Sequence, residues 1–239
     1  MPPGYCDPRR TAEGLPRPRR LLDKTDEAAR EDADDAAAER VTMADTGTSD
    51  DTREKILRSA LRLFTTQGFH ATPTAQISRG AGVSTGALFH HFTDKATLTS
   101  EVYLAIKREM AADLREGDDM ALPVRKRITG GIRRYIEWGV SHPEERAFLN
   151  LFYHSPNICD AVKDRTYADF RWLHDLCAEA VAEGVIRDVP HPVLFTVIVR
   201  TADGIVDLAA AVPPGTAREE VVDAGLAVIW HGIGAEGPG

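Results

Sequence analysis

Past residue 50, apolar side chains recur at helical spacing along most of this chain. Ile56, Leu57, Ala60, Leu63 and Phe64 fall on one face and predict a first helix. Asp51, with Glu54 three residues later, reads as its N-cap and capping partner; Gly68 reads as a left-handed cap with Phe69 packing back. The stretch ATPTAQISRGAG predicts a second helix of barely two turns, with Thr72 as cap, Pro73 at the first helical position, and Ile77 and Ala81 turned inward. Gly82 supplies a turn, Val83 plugs it, and Ser84 caps a third short helix from Thr85 to about His91, with Leu88 and Phe92 on its buried side. Two short helices joined by a tight glycine turn form a helix-turn-helix.

Farther along, the pattern predicts helices over about 94–116, 123–141, 143–153, 157–183, 191–211 and 216–231. Gly117, His142-Pro143, Ser155-Pro156, Gly184, Pro190 and Pro213-Pro214-Gly215 separate them. HPVLFTVIVR is β-branched enough to pass for a strand, but its continuation TADGIVDLAAAV keeps helical spacing and predicts a buried helix. The expected fold class is all-α: an N-terminal three-helix head (49–98, with the helix-turn-helix at 73–92), a helical body (99–233) and a tail (234–239). Residues 1–48 are rich in Pro, Arg, Ala, Asp and Glu with few large apolar side chains, so disorder is expected there. Met43 followed by a short polar run would also serve as a start, so residues 1–42 read as a mis-assigned extension in preference to a functional basic tail.

Charge sharpens this division. The chain carries a net charge of -8, which argues against indiscriminate coating of nucleic acid. Residues 50–100 hold six Lys and Arg against four Asp and Glu, a net +2, whereas residues 101–239 hold 15 against 22, a net -7. A polyanion would approach the head first. The N-terminus, MPPGYCDPRR, lacks the apolar stretch of a secretory signal and no window has the length of a membrane span, so a cytoplasmic protein is expected. Cys6, Cys159 and Cys177 are far apart without C-x-x-C spacing, which suggests idle or buried thiols and neither disulfides nor zinc.

The segment TREKILRSALRLFTTQGFHATPTAQISRGAGVSTGALFHHFTDKATL resembles the N-terminal DNA-binding domain of TetR-family transcriptional regulators. Its best markers are LFTTQGF, AGVSTGALFHHF and the spacing from Phe92 to Lys95. The resemblance implies a homodimer with two such heads reading a palindromic operator in double-stranded DNA. It also implies a body that binds a small molecule and releases DNA, with repression as the usual mode. In such a head the third helix enters the major groove. Thr85, Gly86 and Ala87 occupy its leading turn, and Ser84 can share a phosphate at its N-terminus. Thr72, Thr74 and Lys95 match positions where the family meets phosphate. Phe89 stands where the family usually has Tyr, so a hydroxyl is missing and ring contact with a base methyl or sugar remains. Ala75, and Thr85 where Lys is common, make a small reading surface; Gly80 within the second helix costs about 1 kcal/mol relative to Ala. For Gly86, close helix packing and a base-facing role stand level.

His90 and His91 are adjacent, so on a helix they point about 100° apart and are poorly placed to chelate one ion. At least one is expected to face DNA, His91 being the better phosphate candidate by family position. No cofactor or metal is implied. In the body, eight aromatic residues lie between Tyr135 and Trp172. They could line an apolar ligand cavity, with His154, Asn150 or Arg200 as orienting groups, or form core. Trp138, Phe152, Trp172 and Asp203 are the ligand candidates. Phe195, Val199, Ala202 and Val206, with Val222, Leu226 and Ile229, suit either a four-helix dimer interface or burial within the monomer. An enzyme would need a site from His142, Glu144, His154, Asp160, His174 and Cys177, which no motif groups. A sensor or adaptor with weakened DNA binding is the other alternative.

Overall fold

A computed structural model of the chain describes residues 35–153 and 160–235. The described residues form nine helices and no named strand: α1 (Asp35–Gln67), α2 (Thr74–Gly80), α3 (Thr85–His91), α4 (Lys95–Glu116), α5 (Val124–Ser141), α6 (Pro143–Tyr153), α7 (Asp160–Ala182), α8 (His191–Ala211) and α9 (Thr216–Ile233). The fold is all-α. The strand alternative at HPVLFTVIVR is absent, since it lies within α8. An isolated antiparallel bridge between Ile186 and Gly234 fastens the end of α9 beside the turn after α7. Arg187 N–H donates to the Ile233 carbonyl at 2.8 Å there.

Two expectations about caps are corrected. α1 runs through Asp51 from Asp35, so Asp51 lies inside the helix and does not start it. Its upstream part includes Ala36, Ala37, Ala38, Glu39 and Arg40, strong helix formers that need no cap at Asp51 to continue. The residue before α2 is Pro73 in extended conformation, with no side-chain cap. Thr72 instead is fully buried and donates its hydroxyl to the Gly68 carbonyl at 2.8 Å. Ser84 does cap α3, accepting from Ala87 N–H at 3.0 Å, and Asp94 caps α4, accepting from Thr97 N–H at 2.7 Å. That backbone bond holds the Asp94 carboxyl below its ordinary range. Gly68 and Gly82 both take positive φ, +80° and +70°, the left-handed turns expected of them.

The contacts divide the chain into two units, the second of which, Arg53–Gly239, is compact. Within the second, one apolar cluster joins Ile56, Phe64, Ile77, Leu88 and Phe92 of the helix-turn-helix region to Leu98 and Tyr103 of α4 and Phe148 and Phe152 of α6. Phe69 meets Phe64, Phe148 and Phe152 with centroids 5.2, 5.4 and 6.5 Å apart, and Tyr103 stacks on Phe152 at 4.3 Å. A second cluster holds Ile128, Ile132 and Ile136 of α5 against α7, α8 and α9.

Candidate nucleic-acid interface and body cavity

The helix-turn-helix is fixed from below. Ser59 of α1, buried, donates to the Ile77 carbonyl at 2.9 Å, and Ser78 of α2 lies 3.2 Å from the Thr85 hydroxyl of α3. A Cβ at Gly80 would come within 2.5 Å of the Ser59 Oγ, so the glycine that looked costly is the one residue that lets α1 and α2 approach this closely. At Gly86 the nearest neighbour to such an atom is Ser84 Oγ at 3.7 Å. Helix packing therefore gives no reason for Gly86, and the close-packing alternative is set aside.

Leu88 and Phe92 of the third helix turn inward, which leaves Thr85, Gly86, Phe89 and His90 exposed and Ala87 and His91 half-buried. Phe89 keeps 46% of its surface exposed, a large apolar ring held in water on the leading helix. His90 and His91 diverge, their ring centroids 5.5 Å apart and nearly perpendicular. Thr74 is half-exposed at the start of α2, and Lys95, half-buried at the start of α4, has its ammonium pulled below the usual lysine value by burial. Nine of the ten head candidates thus share accessible surface. Thr72 does not: its side chain is a pin between Gly68 and Leu63 carbonyls, with no hydroxyl free for phosphate.

In the body, helices enclose an apolar cavity of about 60 Å³. α5 supplies Ile128, Ile132 and Tyr135, α7 supplies Trp172, Leu173 and Cys177, and α8 supplies Phe195, Ile198 and Val199; Leu114 closes it from the last turn of α4. Of the four ligand candidates only Trp172 lines it. Trp138 stacks on His142 with centroids 4.9 Å apart, and Phe152 belongs to the aromatic cluster beneath the head. The Asp203 carboxylate accepts the Tyr135 hydroxyl at 2.8 Å. Burial first, and then this carboxylate, push the Tyr135 hydroxyl far above the ordinary tyrosine range. Lys107, its Nζ 4.2 Å from the Phe170 centroid, is drawn down to about 8 by desolvation, against which Asp203 acts. Of the suggested orienting groups, Asn150 and Arg200 are exposed, and His154 lies outside the described residues, as do Cys6 and Cys159.

The seven residues offered for a dimer seam or for burial within the monomer pack on the monomer core or line its cavity. Ala202, Val206, Val222 and Ile229 are buried, Leu226 packs on the same core, and Phe195 and Val199 line the cavity. The reason is that α5 covers one side of the α8–α9 pair, as the 2.8 Å approach of a Gly139 Cβ to Val206 would show. What sequence missed is a second stripe. Val193, Val197 and Leu208 of α8 and Val228 of α9 are 41–64% exposed, and on α8 they fall within an arc of about 60° at 3.6 residues per turn.

Among the described residues, those that an enzyme would have to gather have separate partners, while His154 and the Asp160 side chain lie outside the described residues. His142 bonds to Ser141 and the Trp138 carbonyl, Glu144 accepts from Thr65 at 3.5 Å, and His174 pairs with His191. Among the described residues no three His, Cys, Asp or Glu are grouped to hold a metal, and no helix is long and apolar enough to cross a membrane.

An exposed short helix, braced by two others over a single apolar core, defines a helix-turn-helix DNA-binding protein. Residues 56–102 match the family of bacterial regulatory proteins, tetR family. The transcriptional regulator AcrR of Shigella flexneri is 47% identical over 53 residues, 22% of this chain and 25% of its own length. The transcriptional repressor AcnR of Corynebacterium diphtheriae is 28% identical over 184 residues, 72% of this chain and 87% of its own. The crystal structure of a tetR family transcription regulator from Shewanella sp. PV-4 superposes with a TM-score of 0.72 at 26% identity, covering 77% of this chain and 99% of that one. The chain belongs to the TetR family of transcriptional regulators and is a DNA-binding regulator.

Proposed function

We propose that the protein is a repressor that binds a palindromic operator as a homodimer through residues 49–98 and leaves it when a small molecule enters the body, residues 99–233. The observation that carries this reading is α4. The helix begins at Lys95, beside the exposed recognition helix, and ends with Leu114 in the cavity wall. Its 22 residues span about 33 Å at 1.5 Å per residue, so a change at the cavity can displace the head as a rigid lever. Repression follows the printed function of AcnR, the relative aligned over most of its length. Dimerisation is supported by the exposed apolar stripe of α8 and α9, since one seven-residue recognition helix reads few base pairs and two half-sites a helical turn apart supply the rest.

The test is selection of bound duplexes from a random library by the full chain at two salt concentrations. A palindromic motif is expected, with affinity falling steeply as salt rises. Lys95→Ala should weaken binding to all sequences alike and reduce the slope of log K against log salt by about 1. Recovery of no motif at either salt would favour a sensor or adaptor, whose apolar contacts do not respond to salt in this way.

A further inference from the structure

His174, on α7, and His191, the first residue of α8, bring two ring nitrogens together across the junction of their helices. Nδ1 of His174 and Nε2 of His191 lie 2.6 Å apart. Phe195 packs against both rings and Tyr167 against His174, with centroids 4.3–4.9 Å apart, so aromatic neighbours hold both imidazoles in place. A neutral imidazole carries one N–H and one lone pair. When each ring keeps its proton on the outer nitrogen, both lone pairs point into the same gap. They repel one another there unless a cation fills it. The surroundings suit a cation: His174 is half-buried, His191 is exposed, and Asp188 opens onto the same surface groove as His191.

The separation of the two nitrogens selects the ion. Mg²⁺ and Ca²⁺ take oxygen ligands, whereas imidazole suits Ni²⁺, Cu²⁺ and Zn²⁺. Metal–imidazole bonds of about 2.0–2.1 Å place two nitrogens about 3.3 Å apart at a tetrahedral angle but only about 2.9 Å apart at a right angle. From 2.6 Å the gap opens by about 0.3 Å in the second case and by more than twice as much in the first. Right angles belong to the tetragonal spheres of Cu²⁺ and Ni²⁺, tetrahedral ones to Zn²⁺.

We propose that His174 and His191 together bind a copper(II) or nickel(II) ion, with water completing its coordination. This site is separate from the head and does not depend on the operator reading. The ion joins α7 to α8, two helices that also share the cavity wall through Trp172 and Leu173 on one and Phe195 and Ile198 on the other.

Titration calorimetry on the full chain, stripped with EDTA and dialysed, tests this with Ni²⁺ alone and Zn²⁺ alone. A saturable Ni²⁺ site is expected, tighter than any Zn²⁺ site. His174→Phe and His191→Phe should each weaken Ni²⁺ at least about tenfold, since losing even an outer partner of a metal ligand costs 10–100-fold. His231→Asn, which alters an exposed histidine on α9, should leave it unchanged. Circular dichroism of the metal-free variants checks that they fold. Should either fail, electron paramagnetic resonance of the wild type with one equivalent of Cu²⁺ decides: hyperfine coupling to two nitrogens supports the site and its absence overturns it. No saturable Ni²⁺ binding, a folded His174→Phe or His191→Phe that binds Ni²⁺ as the wild type does, or Zn²⁺ binding tighter than Ni²⁺ would each overturn the assignment.

Discussion

Gly80 shows how a residue that looks unfavourable in one context is required in the next. By helix propensity alone, Gly80→Ala should stabilise α2 by about 1 kcal/mol. Here the added Cβ would meet Ser59 Oγ at 2.5 Å while that oxygen is held by the Ile77 carbonyl. Breaking a buried hydrogen bond costs about 1–3 kcal/mol, so Gly80→Ala is expected to lower stability in urea titration, and Ser59→Ala to lower it as well. The double variant Ser59→Ala, Gly80→Ala should be more stable than the sum of the two losses, because the clash vanishes with the hydroxyl. Strict additivity would refute the contact. At the same scale, Phe89→Tyr adds to an exposed ring the phenolic hydroxyl that the family resemblance implies at this position. Operator affinity should rise, by up to about tenfold for one net hydrogen bond, in a fluorescence anisotropy titration.

Helix boundaries were largely legible, because Gly68, Gly82, Gly117, Gly184 and the prolines mark stops and starts wherever apolar spacing breaks. Caps were less so. Thr72 and Asp51 have the right residue type at a plausible position, yet burial takes one and helix continuation the other. The choice between a dimer seam and burial within the monomer was open for a related reason: apolar periodicity shows that a helix has a buried face, and both a partner helix in the same chain and one in a second copy satisfy it. The α7–α8 junction was not legible at all. His174 Nδ1 and His191 Nε2 lie 2.6 Å apart, with Phe195 against both rings and Tyr167 against His174. Burial, and then the neighbouring His191, bring His174 down to about 4, with Asp175 opposing; burial also lowers His191. Between pH 6.5 and about 4 the unfolded chain thus holds more protons at His174 than the folded one, and stability falls as pH falls through that window. His174→Phe keeps a ring in the stack and removes the titration. Its melting temperature should drop less than that of the wild type between pH 7 and pH 5; equal drops would refute the linkage.

The whole molecule joins a head, a lever and a cavity with no linker between them. Glu101 of α4 holds Arg53 of α1 at 2.5 Å and Arg165 of α7 at 3.2 Å, and the Phe69, Phe148, Phe152 cluster packs the head onto α6. Such a core resists local adjustment, since close-packed interiors transmit strain. If, as proposed, ligand in the cavity and operator at the head act on the same α4, their effects are reciprocal: a factor by which ligand weakens DNA must equal the factor by which DNA weakens ligand. In the proposed dimer both factors depend on two heads being tied together. Leu208→Asp combined with Val228→Asp places charge in the exposed stripe without touching core. By sedimentation this variant should be monomeric and as helical as the wild type, and it should lose affinity for a full palindrome much more than for a half-site. A variant that remains dimeric would show that the copies meet elsewhere. A monomer that still binds the full palindrome as tightly would show that one head suffices, and the reciprocal coupling would then have to run within a single chain.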